Sequence, residues 1–522
     1  MNSFVQRHSS SVIGVLSGFD RLLFRGTLRM LATARGLMGY LWSTQTLLKD
    51  FGQWSERLTG QVREQSEQTV RNAGRPIVYV NDPSARKEDI ARDIARRDGI
   101  DQGIICMLTA VEPCWSYDVH RSREKKKLEL VCRQRKCLHL YQYQVHSQFG
   151  LMHARLQTWL PFNVKICLNG REWLGRQMDR AGIAYVKKDN CFTHVSDVPA
   201  AQALLDGQLT ADWPTLLESI RRSVHPAQET AFAANPLDYY WSVDQSEWAT
   251  DTMFKDRPSL ARLYPRLLNQ GMATLGSRNV MRFLGRRVPG HGGINGNFEG
   301  EVTTDLKQRP EGIRLKHQVN RNSVKMYDKQ GSVLRVETTI NDTRDFKVYR
   351  KTEGKPQSQS KNRQLRKGIA DLHRRAQVSQ ACNERYLEAM AAVETSQTLG
   401  ELTAPLCKAT TWNGKRVRPL QPLGGDDAAL LAAIGNGNFL VNGFRNRDLR
   451  QAMFATNAAS PAQARRHSGM VTRKLRLLRA HALIRKVPRT HRYLLTDKGQ
   501  LITTALQAAK AASTIQLIKL AA

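Results

Sequence analysis

The segment from Leu449 to Thr496 constrains the fold of this chain more than any other, because it contains no Asp or Glu but eleven Lys and Arg residues. Within it, Val471, Leu475 and Leu478 recur at the i, i+4, i+7 spacing that places side chains on one side of a helix. Polar and basic side chains fill most of the remaining positions. The pattern predicts a helix that buries one apolar stripe and leaves a basic surface open.

After this helix, the sequence predicts a basic hairpin and a last helix. Two extended runs, Arg485–Val487 and His491–Leu495, are joined by Pro488–Thr490, and a helix begins near Asp497. In this order the elements resemble a winged helix-turn-helix domain of the bacterial transcription-regulator type. The resemblance covers about a seventh of the chain, and the runs VTRKLRLLRAHALIRK and HRYLLTDKG carry it.

The resemblance implies that the helix Met470–His481 enters the major groove of DNA while the hairpin binds phosphates. A polar helix beside a basic loop suits that task on physical grounds as well. The polar side chains outside the apolar stripe would face the bases: Ser468, Thr472, Arg473, Arg476 and Arg479. The cations of the hairpin would neutralise phosphates: Arg485, Lys486, Arg489 and Arg492. The alternatives are a winged domain that contacts protein and a solvated basic face.

The composition of the whole chain favours a polyanionic partner. Its 522 residues carry a formal net charge of +34, and 41% of them are hydrophobic, which is enough to build folded domains. No run of eighteen apolar residues predicts a membrane span, and the N-terminus lacks the apolar core of a signal peptide. We therefore expect a cytoplasmic protein that binds nucleic acid rather than a membrane. DNA is favoured, RNA is an alternative, and a homodimer is compatible with the sequence.

The eight cysteines are scattered, and no pair has the CxxC spacing of a structural zinc site. We expect most of them to be small buried residues in a reducing compartment. A zinc site built from Cys132, Cys137 and His139 with a distant fourth ligand is the alternative.

The N-terminal region, residues 1–74, is predicted to be rich in helix. Within it, Asp20 lies among large apolar residues and beside Arg21 and Arg25. One interpretation is a structural ion pair in a partly buried setting. The other is an acidic site residue that an arginine holds in place.

A β-α-β order follows, with strands at Pro76–Val80 and Gly103–Leu108 around a helix from about Ser84 to Arg97. This order predicts a pair of parallel strands.

A second basic block spans residues 121–136, with eight Lys or Arg residues against two Glu. Its centre provides three further candidates for nucleic-acid binding: Lys125, Lys126 and Lys127. Residues 184–255 are predicted to alternate between loop and helix.

Four consecutive strands are predicted between Ile313 and Tyr349, with a tight turn at Asp328–Gly331 between the middle two. Period-two alternation places Val324 and Met326 on an apolar face. The opposite face is predicted to be solvated and to carry Lys325, Tyr327, Arg335, Glu337 and Thr339. Such a face fits a nucleic-acid platform that uses Lys325 and Arg335, an active site, or an ordinary sheet surface with cross-strand ion pairs.

The run KMYDKQGSVLRVETT within these strands is similar to a segment of phage and plasmid replication initiators. The similarity implies a site that cleaves phosphodiester bonds, with Tyr327 or Tyr349 as the nucleophile and Glu337 and Asp328 as metal ligands. The chain departs from that family because it lacks the His-hydrophobic-His triplet that binds the metal there.

Together these patterns predict an α+β multidomain protein with a mixed N-terminal α/β region, a central antiparallel sheet and a C-terminal winged helix. The predicted domains are 1–74 (helical), 75–255 (mixed α/β), 256–350 (a helix and the antiparallel sheet), 351–440 (a helical linker) and 441–522 (winged helix-turn-helix). The first hypothesis is a DNA-binding protein that reads the duplex, either a regulator or a protein of replication or mobile elements. No cofactor is predicted for it.

Two alternatives belong to other classes. One is an enzyme that cleaves or transfers phosphodiester bonds, and only this alternative requires a divalent metal. The other is a protein that binds structured RNA, because basic charge by itself does not separate RNA from DNA. The sequence does not decide whether the chain is an enzyme.

Overall fold

Nineteen strands and sixteen α-helices occur in the computed structural model, which describes residues 3–124, 126–273, 275–285, 302–351, 357, 359–391, 398–435, 439, 443–454, 460–488 and 490–512. The strands are β1 (Val12–Leu28), β2 (Ile77–Tyr79), β3 (Gly103–Ser122), β4 (Lys127–His146), β5 (Gly150–Gln157), β6 (Val164–Asn169), β7 (Tyr185–Lys188), β8 (Cys191–Val195), β9 (Tyr239–Phe254), β10 (Val302–Arg309), β11 (Gly312–Val319), β12 (Asn322–Lys329), β13 (Val333–Ile340), β14 (Lys347–Arg350), β15 (Lys361–Gln364), β16 (Thr410–Trp412), β17 (Lys415–Val417), β18 (Ile484–Lys486) and β19 (Tyr493–Leu495).

The helices vary from single turns to six turns in length. They are α1 (Ser3–Arg7), α2 (Ala34–Ser43), α3 (Phe51–Asn72), α4 (Lys87–Arg97), α5 (Gly170–Ala181), α6 (Val198–Asp206), α7 (Trp213–Val224), α8 (Gln228–Ala231), α9 (Arg257–Ala273), α10 (Ser277–Phe283), α11 (Leu372–Met390), α12 (Leu399–Thr403), α13 (Gly425–Ile434), α14 (Asn446–Met453), α15 (Pro461–Ala480) and α16 (Asp497–Ala511).

Eleven of the strands form one large, mostly antiparallel sheet in the order β10-β11-β12-β13-β9-β1-β6-β5-β4-β3-β2. Strand β2 is parallel to β3, as the β-α-β order predicted. The remaining strands form four two-stranded sheets: β7–β8, β14–β15, β16–β17 and β18–β19. The architecture is thus mixed α+β, as expected.

The chain divides into two compact units. The first comprises residues 14–253 and 337–380, and the second comprises residues 1–13, 254–336 and 381–522. In the first unit, alternate residues of the strands are buried on opposite faces of the sheet. Leu140 joins the large core that includes residues of α2, α3 and α7. Its neighbour Tyr141 packs with Ile94 of α4 in a separate cluster. Helices therefore cover parts of both faces.

In the second unit, the predicted C-terminal elements are present. Val471, Leu475 and Leu478 of α15 are 0%, 3% and 0% exposed, so the apolar stripe is buried as predicted. The basic hairpin is the antiparallel pair β18–β19, and the last helix is α16. Helix α15 begins at Pro461, nine residues before the predicted start at Met470. Ser460 caps it by accepting a hydrogen bond from the backbone of Gln463.

Two strands of the sheet were not predicted from the sequence, and one prediction about the sheet is wrong. Residues 12–28, placed in a helix-rich region, form the 17-residue strand β1, and the segment predicted as loop and helix contains the 16-residue strand β9. The face of β13 expected to be solvated is covered, since every residue of that strand is buried. In each case the pairing of distant strands and the helices over the sheet outweigh local propensity.

The other predicted strands are confirmed. The runs between Ile313 and Tyr349 form β11 to β14. Between β12 and β13 the turn is tight, because Gln330 and Gly331 have positive φ angles of 54° and 73° and the Gly331 N–H donates to the Asp328 carbonyl. So short a connection requires an antiparallel hairpin.

Candidate metal centre

Three carboxylates meet at the middle of the large sheet. Asp20 lies on β1, Glu247 on β9 and Glu337 on β13, and these strands are neighbours in the sheet. One oxygen of each carboxylate lies within 4.8 Å of the other two. Asp20 and Glu337 are buried, and Glu247 is half-buried. The cluster therefore depends on strand order, because its members are far apart in sequence.

Aromatic packing on the other side of the sheet fixes two of these positions. The rings of Phe19 and Trp248 meet edge to face at 4.8 Å inside the large core. Adjacent residues of a strand point to opposite faces. Asp20 follows Phe19 and Glu247 precedes Trp248, so both carboxylates are directed away from that core.

Arg171, at the start of α5, holds the cluster from one side. Its side chain is 0% exposed, with Nη2 2.9 Å from a carboxylate oxygen of Asp251 and Nε 3.7 Å from Asp20 Oδ1. Asn190 Nδ2 donates a hydrogen bond of 2.8 Å to the other oxygen of Asp20. Asp20 is thus oriented by an arginine and an amide, although the arginine is neither of the two that the sequence placed beside it.

The close approach of α5 to β1 requires glycine at position 170. A Cβ there would lie 1.7 Å from the Phe19 carbonyl oxygen, which no side chain tolerates. Asn169 caps the helix by accepting from the backbone of Arg171 and Glu172. These two local features place Arg171 over Asp20.

Arg21 adds a second positive charge near the cluster. Its Nε donates to Cys167 Sγ at 3.3 Å. The pKa of Arg21 is raised above its ordinary value, first by the neighbouring Cys167 and further by the negative charge of Glu247. Cys167 lies between Ile166 and Leu168 of β6, which are both buried in the large core, so Arg21 meets it on the opposite face. Regular alternation along β1 is interrupted after Phe19, because Leu22 joins the same core, and Asp20 and Arg21 therefore share this face.

The donor set fits a hard divalent cation. Carboxylate oxygens are the ligands that Mg²⁺, Mn²⁺ and Ca²⁺ prefer, and the set contains no sulfur or imidazole that would favour zinc. Two oxygens on opposite sides of such an ion lie about 4–5 Å apart, since each bond measures about 2.0–2.6 Å. Within the described part of the chain, no other group of three or more Asp, Glu, His or Cys residues has this spacing.

The four residues that the resemblance to replication initiators made candidates for catalysis lie in different places. Glu337 belongs to the cluster. Asp328 does not: its carboxylate accepts the backbone N–H of Ile313 at 2.5 Å, and burial raises its pKa. Tyr327 is 8% exposed, and the ammonium group of Lys329 lies 5.0 Å from its ring centre. Tyr349, the other tyrosine considered, is 71% exposed on the short strand β14.

The predicted zinc site does not form. Cys132 is exposed, whereas Cys137 is buried five positions further along the same strand, β4, so the two thiols point to opposite faces. His139 is buried as well, and its Nε2 lies 3.1 Å from Arg155 Nη2. Burial, and next the charge of Arg155, lower the pKa of His139 to about 4.

The predicted phosphate-binding residues of the sheet and of the β3–β4 hairpin vary in exposure. Arg335 is 0% exposed, and Lys325 is half-buried opposite Lys316 of β11. Lys126 and Lys127 are exposed at the tip of the hairpin. Lys125 lies outside the described residues.

The C-terminal candidates surround a cleft between α14, α15 and the β18–β19 hairpin. Ser468 and Thr472 line this cleft of about 410 Å³, together with Asn446, Arg447 and His491. Asn446 Nδ2 donates to Thr472 Oγ1 at 3.0 Å, which joins the two helices.

The Lys and Arg residues of α15 and of the β18–β19 hairpin differ in their exposure to solvent. The exposed or half-exposed ones include Arg473, Arg485, Lys486 and Arg492. Arg489 lies outside the described residues. The guanidinium groups of Arg476 and Arg479 lie 5.9 Å and 4.9 Å from the ring centre of Trp412, on β16. Part of the helix surface predicted to face DNA is therefore in contact with a short hairpin.

Sequence reasoning missed Glu247, Asp251 and Arg171. The run from Tyr239 to Phe254 is rich in Trp, Tyr and Thr, which is typical of a strand, and this pattern could have revealed β9. No local pattern singles out Arg171, because its role depends on the placement of α5.

Comparison with protein-family models, with curated proteins and with solved structures finds no match for this chain. Among the helices that the structure describes, none combines the length and apolar character needed to span a membrane.

Proposed function

We propose that this protein is a DNA-processing enzyme that cleaves or transfers phosphodiester bonds with a divalent ion held by Asp20, Glu247 and Glu337. One observation carries the proposal: three carboxylates from three neighbouring strands converge to within 4.8 Å of one another. Carboxylate clusters of this kind bind the Mg²⁺ or Mn²⁺ of phosphoryl-transfer sites.

A divalent ion at this position supplies Lewis-acid stabilisation of a phosphoryl oxygen and promotes the deprotonation of water. The chain's own part is to fix the ligands. Arg171 and Asn190 orient Asp20, and the core packing of Trp248 fixes the direction of Glu247. In hydrolysis, a water oxygen bonds to phosphorus, the bond from phosphorus to the leaving oxygen breaks, and the leaving oxygen takes up a proton.

We further propose that residues 441–522 form a winged helix-turn-helix domain that binds duplex DNA. Support comes from the order of α14, α15, the β18–β19 hairpin and α16, and from the exposed side chains of Thr472 and Arg473 on α15. The hairpin cations Arg485, Lys486 and Arg492 suit phosphate contacts. The contact between Trp412 and Arg479 favours base reading by the N-terminal part of α15 rather than by its last turn.

The test of catalysis uses the full chain on duplex and unpaired DNA with Mg²⁺ or Mn²⁺. We expect Glu247→Gln and Glu337→Gln to lower cleavage at least about 100-fold, since several kcal/mol of metal-dependent stabilisation would be lost. They should also weaken the binding of Mn²⁺, measured by calorimetry. Glu64→Gln, which removes an exposed carboxylate of α3 in the same unit, is the matched control. Wild-type protein without metal-dependent cleavage, or cleavage that survives both substitutions, would refute the proposal.

The second candidate function is DNA binding without catalysis, as in a regulator, and the open surface of α15 favours it. Under either function, Arg473→Ala should weaken duplex binding, while Lys510→Ala, which removes an exposed cation near the end of α16, should not. If the protein binds duplex DNA but shows no metal-dependent cleavage, the result would favour DNA binding without catalysis, as in a regulator. Tighter binding of structured RNA than of duplex DNA, unaffected by Arg473→Ala, would favour the RNA-binding alternative.

A further inference from the structure

We propose that a row of three cations on the face of the sheet that carries the carboxylates, Arg25, Lys165 and Arg155, binds the backbone phosphates of the strand that enters the metal centre. We call these residues the cation row. The inference deepens the proposed function and depends on it, because it assigns the row a substrate of that same site.

The strand register places the three side chains next to one another. Arg25 of β1 lies directly opposite Lys165 of β6, and Lys165 lies directly opposite Arg155 of β5. Neighbouring strands are about 4.8 Å apart, so the row extends about 10 Å across the sheet. That length accommodates more than one phosphate of a nucleic-acid strand, whose rise is about 3.4 Å per nucleotide in a duplex.

The row shares its face of the sheet with the carboxylates, because the alternation of side chains shifts by one residue on both strands that link them. On β1, Phe19 and Leu22 are both buried in the large core although they are three residues apart. On β9, the same holds for Val243 and Trp248, which are five residues apart. Phe24 is 0% exposed in the large core, where its ring lies 5.0 Å from that of Trp213, so the next residue, Arg25, points to the opposite face. Arg21, four residues earlier on β1, lies on that opposite face too, where its Nε donates to Cys167 Sγ. Asp244, on the same strand as Glu247, pairs with Lys165 at 2.9 Å.

The fold alone does not account for this arrangement. Like charges directly opposite each other on neighbouring strands destabilise a sheet, whereas opposite charges stabilise it. Lys165 is paired with Asp244, and Arg155 lies 3.4 Å from Glu112. Arg25 is different: among the described residues, its buried Nε has no hydrogen-bond partner. A row of cations with an unsatisfied donor suits an anion that is bound only part of the time.

Phosphodiester is the ligand chemistry that connects this row with the carboxylates. The proposed metal ion would bind the phosphate that reacts. Cations beside it would then bind phosphates further along the same strand and position it, without contact to the reacting atoms. The row thus supplies positioning residues, and its loss should affect substrate binding more than the chemical step.

The test measures binding of a fluorescent unpaired DNA of about 12 nucleotides to the full chain in EDTA, over a range of salt concentrations. Arg25→Gln/Lys165→Gln should reduce the slope of log affinity against log salt by about 1.4, because each phosphate contact contributes about 0.7 on a single strand. At 0.1 M salt this corresponds to about 10- to 30-fold weaker binding. With metal present, KM should rise by a similar factor while kcat changes little.

Two further variants separate this role from structural effects. Arg25→Lys/Lys165→Arg keeps both charges and should keep the slope. Lys49→Gln/Arg57→Gln removes two exposed cations from the other side of the sheet, where α3 packs on the large core, and should leave the slope unchanged. Thermal unfolding of each variant checks the fold.

The possible results distinguish this inference from the proposed function. An unchanged slope in Arg25→Gln/Lys165→Gln, or an equal loss in the Lys49/Arg57 control, would overturn the cation row even if Glu337-dependent cleavage is observed. A slope that falls only in the row variant, in a protein without metal-dependent cleavage, would keep the row as a nucleic-acid site and refute the chemistry. A preference for duplex over unpaired DNA in this assay, lost in the row variant, would identify the duplex as the source of the phosphates.

Discussion

At the scale of single residues, Arg171 contributes most to the carboxylate centre. It is fully buried and lies beside two carboxylates, those of Asp251 and Asp20. Replacing it with methionine leaves these carboxylates without their arginine in a low-dielectric setting. We therefore expect Arg171→Met to lower the free energy of unfolding by about 3–5 kcal/mol, measured by denaturant titration.

The control for this variant is Arg63→Met. Arg63 forms an ion pair with Glu67, but 58% of its side chain is exposed, so its removal should cost less than about 1 kcal/mol. Mg²⁺ should restore part of the stability lost in Arg171→Met, because an ion bound only by the folded state stabilises it. Equal losses in the two variants would contradict the role assigned to Arg171.

Two glycines should respond oppositely to the same substitution. Gly170→Ala would place a Cβ 1.7 Å from the Phe19 carbonyl, so we expect a loss of several kcal/mol or displacement of α5. Gly60, inside α3, has nothing within 4 Å of such a Cβ. Gly60→Ala should therefore stabilise the protein by about 0.5–1 kcal/mol through helix propensity. Thermal or denaturant unfolding of both variants tests the pair, and a stable, fully active Gly170→Ala would show that the approach of α5 to β1 is not required.

The pH dependence of stability should include a contribution from His225. This residue is 0% exposed, its Nδ1 lies 2.9 Å from the Tyr239 hydroxyl, and burial lowers its pKa to about 3. The unfolded state, with a pKa near 6.5, binds the proton more readily. The contribution of neutral His225 to the free energy of unfolding is thus fully present above about pH 6.5. Below that pH it decreases by about 1.4 kcal/mol per pH unit, down to about pH 3. In denaturant titrations between about pH 7 and pH 5, the free energy of unfolding should fall less steeply with decreasing pH for His225→Asn than for the wild type.

At the scale of elements, the short β16–β17 hairpin limits which part of α15 is open. The guanidinium groups of Arg479 and Arg476 both lie over Trp412. A double-mutant cycle of Trp412→Ala and Arg479→Ala should give a coupling energy of about 0.5–1 kcal/mol in unfolding titrations. Arg479→Ala should also weaken duplex binding less than Arg473→Ala. The opposite order would place the last turn of α15 on the DNA.

The elements that were predicted correctly are those that depend on residues close together in the sequence. The apolar stripe of α15 and the turn at Gln330–Gly331 each lie within about 20 residues, so the helical spacing and the turn residues can be recognised directly in the sequence. Strands β1 and β9 are different, because each is defined by pairing with strands distant in the chain. The apolar run in Val12–Leu28 fits either a buried strand or a buried helix by periodicity, and only the partner strand β6 decides between them.

At the scale of the whole molecule, the carboxylate centre is a product of topology. Asp20, Glu247 and Glu337 come together because β1, β9 and β13 are neighbours, and no spacing in the sequence encodes that order. The sequence singled out Asp20 by its apolar setting and Glu337 by a local resemblance, but it indicated neither Glu247 nor the contact among the three. The net charge of +34, by contrast, is visible in the composition and favours a polyanionic substrate without locating the surface that binds it.

The proposed division of tasks within the molecule has a kinetic consequence. If the carboxylates perform the chemistry and α15 binds duplex DNA, Glu337→Gln should abolish cleavage of duplex and unpaired substrates alike. Arg473→Ala should raise KM for the duplex, leave kcat unchanged and leave cleavage of unpaired DNA unaffected, because it removes binding that is equal in the ground and transition states. Steady-state kinetics on matched duplex and unpaired substrates measures both effects. Equal losses on the two substrates in Arg473→Ala would mean that α15 takes part in the reaction itself rather than in the choice of DNA.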